Sequence, residues 1–262
     1  GAEFVSNNQG IGVALIDIDG DSLPDIVLSN GVTRTTWLNT GNGWVQDNSW
    51  NIPTEINLKD NSAALADING DGLPDIVKAP DTSNRKIWLN KYSKQYLLRE
   101  IKNSLGGRTS LDYEKIASLD NTGNDNINDL GFNGWVVNTI ENNNNISGTQ
   151  NTISINNISY ENGMFDSDEK QFAGFAYVEE TRNQKTKIKH NFFQDKGKMG
   201  LEYETEILNN SNNLFKKVQN EYTSTSVNGY YINTLLWTIN SLYDGSVETP
   251  SQTKIQFGYD NY

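Results

Sequence analysis

The feature that most constrains this chain is a nine-residue acidic stretch that occurs twice. Asp17-Ile18-Asp19-Gly20-Asp21-Ser22-Leu23-Pro24-Asp25 is followed fifty residues later by Asp67-Ile68-Asn69-Gly70-Asp71-Gly72-Leu73-Pro74-Asp75. The flanks repeat too. Ala14-Leu15 matches Ala64-Leu65, Ile26-Val27 matches Ile76-Val77, and Trp37-Leu38-Asn39 is echoed by Trp88-Leu89-Asn90. Self-similarity at such a period marks a repeat architecture.

The repeated residues have the chemistry of a cage for a hard cation. Oxygen side chains stand at positions 1, 3, 5 and 9: Asp17, Asp19, Asp21 and Asp25, then Asp67, Asn69, Asp71 and Asp75. A turning loop aims such alternating side chains at one point, and the backbone carbonyl of Leu23 or Leu73 at position 7 can add another oxygen. Ca²⁺ accepts roughly six to eight oxygens in irregular geometry, whereas Mg²⁺ demands an octahedron and keeps its waters. The sequence therefore predicts two structural Ca²⁺ sites. An EF-hand is a poor fit, because position 12 is Leu28 in one copy and Lys78 in the other, where that loop needs a bidentate Glu. Pro24 and Pro74 also oppose an exiting helix. An acidic turn without metal stays open as a reading of a single copy, since Asp, Asn and Gly favour turns. Two copies in register weaken it.

These residues, with their flanks, resemble the FG-GAP/VCBS repeats of integrin-type β-propellers over about residues 11–90. The resemblance implies four-stranded blades with the Ca²⁺ loop between strands. Two copies do not make a ring, because propellers use about four to eight blades. Residues 1–10 read as the tail of an earlier repeat, so the chain is expected to be a fragment cut at both ends.

Composition narrows the function classes. Among 262 residues, 35% are hydrophobic and 21% charged, enough for one large or two modest domains with cores. The net charge of −12 argues against a nucleic-acid surface, and two bound Ca²⁺ would offset four of those charges. With no cysteine, disulfides, thiolate metal sites and Cys nucleophiles are excluded. No apolar run approaches the ~20 residues that span a bilayer, and no signal peptide opens the sequence.

Along the chain, the sequence predicts an inner apolar strand at Ile11-Gly12-Val13-Ala14-Leu15-Ile16, a strand at Ile26-Val27-Leu28, and another at residues 35–39 followed by a Gly-rich turn. The texture changes near residues 91–97, which divides the chain into blades at 1–92 and a second region at 93–262. That region opens with a strand, a Gly106-Gly107 turn and a strand carrying Leu111 and Tyr113. Residues 118–131 read as a surface loop, Trp135-Val136-Val137-Asn138-Thr139-Ile140 as a strand, and residues 142–148 as a turn. Beyond residue 150, Ile153/Ile155, Ile158/Tyr160, residues 185–189 and Ile255/Phe257/Tyr259 alternate with period two, and residues 209–213 form a hairpin tip. No sustained helical stripe occurs. The fold class is therefore all-β: a partial β-propeller followed by a large antiparallel sheet.

The second region also resembles a family. Leu97-Leu98…Ile101…Asn103…Leu105-Gly106…Thr109…Leu111…Tyr113, then Trp135-Val136-Val137, then Asp166-Ser167-Asp168-Glu169-Lys170-Gln171-Phe172-Ala173-Gly174-Phe175-Ala176-Tyr177-Val178-Glu179-Glu180-Thr181, then His190 and Lys196-Gly197 stand in the order found in toxin-complex (Tc) B components. The same order occurs in the related SpvB-, TcdB- and Rhs-type proteins. The Tyr-Asp-x-x-Gly-Arg repeat of true Rhs segments is absent. The resemblance implies a secreted, non-enzymatic toxin component. Its propeller would dock on a pore-forming A component. Its β-shell, closed with a C component, would encapsulate a toxic enzyme domain.

Catalytic candidates are few. His190 is the single histidine and sits in an apparent strand, where packing is the commoner role. No nucleophile elbow or phosphate loop appears. Glu179 and Glu180 are adjacent, so a strand points them to opposite faces. Glu202, Glu204 and Glu206 are expected to share one solvated strand face. Trp44, Trp50 and Trp135 suit a sugar or peptide groove but are more often core. Two other readings stay open: a calcium-dependent FG-GAP adhesin or ligand-binding propeller, and an enzyme whose catalytic part lies outside these residues.

Overall fold

The computed structural model describes residues 5–6, 9–50, 52–60, 62–92, 97–123, 128–146, 151–244 and 249–259. The chain divides into two units, Gly1–Leu97 and Leu98–Tyr262. Among the described residues the only helix is one 3₁₀ turn at Ile116–Ser118, and no helix is long and apolar enough to cross a membrane.

In the first unit, β1 (Val5–Ser6) and β2 (Gln9–Gly10) pair as a short ribbon. A four-stranded antiparallel sheet follows in chain order: β3 (Val13–Ile16), β4 (Asp25–Ser29), β5 (Arg34–Asn39) and β6 (Trp44–Asp47). A three-stranded sheet then repeats its first part with β7 (Ala63–Ala66), β8 (Asp75–Lys78) and β9 (Lys86–Trp88). The sequence repeat is thus a structural repeat: Leu15 pairs with Ile26 and Leu65 with Ile76. The two sheets do not close into a propeller.

One core joins them. Ile18, Val27, Ile52, Ile56 and Ile76 are buried together, with Ala14, Ile16 and Leu38 packed on them from one copy and Ala63, Leu65 and Trp88 from the other. Successive residues of a strand face opposite ways, so β3 uses its Ala14/Ile16 face and β7 uses the face equivalent to Leu15. The copies therefore stack head to tail. The unused faces show it: Leu15 is 52% exposed while Leu65 is packed, and Ile68 is 50% exposed while Ile18 is fully buried. The expected inner strand over residues 11–16 is corrected accordingly. Gly12 turns the chain with φ +82°, where an added Cβ would stand 2.4 Å from the Ser29 carbonyl oxygen, so the strand begins at Val13 and bears an exposed Leu15.

The second unit is a single ten-stranded antiparallel sheet in which each strand pairs with the next. Its strands are β10 (Glu100–Lys102), β11 (Arg108–Lys115), β12 (Trp135–Asn143), β13 (Ile153–Asp166), β14 (Gln171–Arg182), β15 (Thr186–Phe192), β16 (Glu202–Asn209), β17 (Leu214–Val227), β18 (Tyr230–Leu242) and β19 (Ser251–Gln256). Local chemistry explains the meander. Asn183 and Gln184 both have positive φ between β14 and β15, as do Asn228 and Gly229 between β17 and β18. Asn228-Gly229 is a two-residue turn that matches strand twist, residues 183–185 make a three-residue turn closed by Lys185 N on the Arg182 carbonyl, and Asn and Gly tolerate such backbone angles. The alternating pairs Ile153/Ile155 and Ile158/Tyr160 lie on one long strand, Lys185 sits in a turn, and β19 ends before Phe257 and Tyr259.

Two expectations fail here for physical reasons. The polar stretch at 118–131 is not simply a surface loop, although residues 124–127 lie outside the described residues. Asn121 is buried, with Nδ2 donating to the carbonyls of Ile116 (3.0 Å) and Leu119 (3.3 Å) and Oδ1 accepting from Gly163 N (3.1 Å). Asn162 N donates to the Asp120 carbonyl and Phe165 N to the Asp129 carbonyl, which fastens the segment to β13. Phe132 then meets Phe165 and Phe172 edge-on, with centroids 6.0 and 5.3 Å apart. Second, Glu202 does not share a face with Glu204 and Glu206. A bulge between Asn191 and Phe192 in the β15–β16 pairing leaves Tyr203 without an opposite residue and shifts Glu202 to the other side.

Removing the Asn121 amide leaves buried backbone groups without partners, each worth about 1–3 kcal/mol. We therefore expect Asn121→Ala to lower stability by at least about 2 kcal/mol. Gly163→Ala should do comparable harm, since its Cβ would lie 2.6 Å from Leu130 and 2.8 Å from Phe175. Chemical denaturation followed by near-UV circular dichroism measures both, and unchanged midpoints would contradict the packing described.

Candidate metal centre in two acidic loops

The two loops share one hydrogen-bond pattern, bond for bond. In the first, Asp17 Oδ1 accepts from Gly20 N (2.7 Å) and Asp21 N (3.1 Å), and Asp17 Oδ2 from Ser22 N (2.8 Å). Asp19 Oδ1 accepts from Asp21 N and Asp21 Oδ1 from Leu23 N. In the second, Asp67 accepts from Gly70, Asp71 and Gly72, Asn69 from Asp71, and Asp71 from Leu73. Position 6 is left-handed in both, Ser22 at φ 69° and Gly72 at φ 78°. The closed backbone draws the odd-numbered side chains together: carboxylate oxygens of Asp17, Asp19 and Asp21 lie within 4.8 Å of one another.

Position 9 has a different setting. Asp25 is fully buried, with Oδ2 accepting from Ile18 N (2.9 Å) and Oδ1 from Asn39 N (2.7 Å). Asp75 is equally buried and accepts from Ile68 N (2.9 Å) and Asn90 N (2.7 Å). Asp25 therefore ties its loop to Asn39, the last residue of β5, and Asp75 ties its loop to Asn90, two residues beyond β9. A carboxylate has about four lone-pair positions, so two amide bonds leave capacity for a cation. Burial, together with the neighbouring carboxylates, pushes the Asp19 and Asp25 carboxyls above their ordinary range. Among the described residues no Lys or Arg forms an ion pair with Asp17, Asp19 or Asp21. An all-oxygen, mutually repelling donor set of this kind fits a hard divalent cation of the Ca²⁺ type. The amides of Leu23 and Leu73 serve Asp21 and Asp71, and the Leu73 side chain is buried.

The remaining candidates have structural settings. His190 Nδ1 lies 2.5 Å from Glu202 Oε1, which also accepts from Thr205 Oγ1 (2.6 Å), and the ring stacks near Phe192. On the other face Lys217 Nζ bridges Glu204 (2.8 Å) and Glu206 (3.2 Å). Burial opposes the charge on Lys217, but hydrogen bonds to Glu204 and Glu206 outweigh it and raise its affinity for the proton. Glu179 accepts from the Tyr177 hydroxyl (2.9 Å), while Glu180 pairs with Arg182 (2.7 Å). Trp50 packs on the first unit's core, Trp44 is exposed, and Trp135 lies on β12 of the second unit.

Sequence reasoning missed the asparagines that end each repeat. Asn39 and Asn90 donate their main-chain N–H groups to the position 9 carboxylates, and their Nδ2 groups donate to the carbonyls of Pro24 and Pro74 (3.2 Å each). The echo of Trp-Leu-Asn was the available signal. It also missed Asp47, which accepts from Ser49, Trp50 and the Tyr92 hydroxyl (2.8 Å) and fastens residue 92 to the end of β6.

Known proteins agree with this architecture. Among solved structures, the crystal structure of TcdB2-TccC3 matches at 17% identity and TM-score 0.73, covering 93% of this chain and 16% of the other. The Tc holotoxin pore of Photorhabdus luminescens matches at 17% identity and TM-score 0.74, with 93% and 15% covered. The fold is therefore shared, and the chain spans about one sixth of the length of the structures it matches. No curated protein matches. The profile described as "Insecticide toxin TcdB middle/N-terminal region" matches residues 39–206, more than half of the chain and part of both units. The chain belongs to the insecticide toxin TcdB middle/N-terminal family.

Proposed function

We propose that this chain is part of a secreted, non-enzymatic component of a toxin complex. Its first unit supplies calcium-stabilised blades of a β-propeller that docks on a pore-forming A component. Its ten-stranded sheet is a section of the shell that, with a C component, encloses a toxic enzyme domain. The observation that carries this reading is a family match running across both units of a chain whose second unit is one long antiparallel meander. Shared fold with TcdB2-TccC3 structures supports the C-type partner. Head-to-tail stacking of the two repeats supports the propeller, because each repeat leaves free the face its neighbour would occupy. Asp17, Asp19, Asp21 and Asp25, with the Leu23 carbonyl, would hold one Ca²⁺. Asp67, Asn69, Asp71 and Asp75, with the Leu73 carbonyl, would hold the other. The ion supplies charge neutralisation and loop rigidity.

A ligand that binds only the folded state stabilises it by about 2.7 kcal/mol at a hundredfold excess over Kd. We expect the full-length protein to melt several degrees lower in chelator than in calcium, with the difference lost in Asp17→Ala/Asp67→Ala. An equal melting temperature in both buffers would count against the ion.

Docking is tested on the full-length protein by biolayer interferometry against an A component. Removing every propeller blade, residues 1–92 included, should abolish binding while the shell still shields its cargo from protease, and binding that survives the deletion would place the docking surface elsewhere. His190→Gln should leave the toxicity of the assembled complex within about threefold when its melting temperature is unchanged. Complete loss of toxicity from a normally folded assembly would show that the chain has chemistry of its own.

A further inference from the structure

One side chain crosses from the second repeat to the first. Asn90 Nδ2 donates to the Ile18 carbonyl at 2.8 Å, across 72 residues of sequence. Ile18 is the second residue of the first acidic loop, and its carbonyl belongs to the peptide that carries Asp19. Its own N–H is held by buried Asp25. Asn90's main-chain N–H is held by buried Asp75 of the second loop. A continuous path therefore runs from Asp25 through Ile18 and Asn90 to Asp75, with every link between 2.7 and 2.9 Å. The Ile18 side chain reinforces it, sharing a buried cluster with Ile76, the residue after Asp75.

The equivalent positions sharpen the point. Asn39 stands at the equivalent position of the first repeat, where its Nδ2 donates to the Pro24 carbonyl as that of Asn90 does to Pro74. The bond from Asn90 to Ile18 is the additional one, and it joins two repeats.

We propose that Asn90 makes the two acidic loops one cooperative unit, so that ordering either loop by a cation tightens the other. This rests on the reading of the loops as Ca²⁺ sites. Asn90 is a positioning residue: it touches no cation, but fixes the peptide that presents Asp19. In a propeller the same contact, repeated, would pass order from blade to blade.

The test is a thermodynamic cycle on the whole chain with calcium alone as the probe, followed by titration calorimetry. Disabling the second loop with Asp67→Ala should weaken the remaining site about fivefold, the low end of measured site–site couplings. In an Asn90→Ala background the same disabling should leave that site unchanged. Equal weakening in both backgrounds, or none in either, overturns the proposal. Asp67→Asn gives a milder second variant should the alanine fail to fold. A parallel arm needs no cation. In chelator, amide exchange across residues 17–25, read by mass spectrometry, should quicken about fivefold in Asp67→Ala and show no such response to Asp67→Ala once Asn90 is alanine. Unchanged exchange overturns the coupling. A chain that shows coupled exchange but binds no calcium sinks the cation reading and keeps the coupling.

Discussion

The first unit depends on a carboxylate placed where no water reaches it. Asp25 and Asp75 are fully buried, and an ionised group survives burial only when hydrogen bonds replace its hydration. Each obtains two main-chain amides, one from the loop and one from the asparagine at or just past the third strand. That arrangement closes the loop, fixes the hairpin around it and places the terminal asparagine. The asparagine in turn braces a proline carbonyl, and in the second repeat it reaches the preceding loop. Remove the buried carboxylate and the oxygen cluster, the hairpin register and the contact between repeats lose their common anchor.

The second unit is held differently. A long meander has no single centre, so order comes from turns that set register and from side chains paired across neighbouring strands. Lys217 between Glu204 and Glu206 and Tyr177 on Glu179 stiffen one face. Elsewhere in the sheet, Tyr160 and Phe175 pack with centroids 4.9 Å apart, and Phe172 joins Phe175 at 5.4 Å. Partly shielded ion pairs hold geometry better than they add stability, which helps fix register across a ten-stranded sheet.

Much of this was legible in the sequence, and the failures have a common cause. Oxygen spacing in residues 17–25 and 67–75 gave the loops, because a turn's conformation is local and both copies agree. Period-two alternation gave the sheet, and the Gly106-Gly107 turn gave its opening hairpin, for the same reason. What stayed hidden depends on distant partners. Asn121 reads as a loop residue until Gly163 appears beside it, 42 residues on. Glu202 reads as a neighbour of Glu204 until one unpaired Tyr203 reverses its side. Leu15 and Leu65 are the same letter in the same motif, yet one faces out and the other in, because stacking order and not local pattern decides. Asp25 and Asp75 read as four-of-a-kind with the other acids, whereas burial gives them a second, structural task.

An anomalous-difference map from crystals of the full-length protein grown with terbium in place of calcium would show whether these loops are paired cation sites built on buried anchors. Two strong peaks are expected, one among Asp17, Asp19 and Asp21 and one among Asp67, Asn69 and Asp71, with Asn90 still on the Ile18 carbonyl. A map without density at either loop, or with a lysine ammonium filling the oxygen cluster, would contradict that assignment.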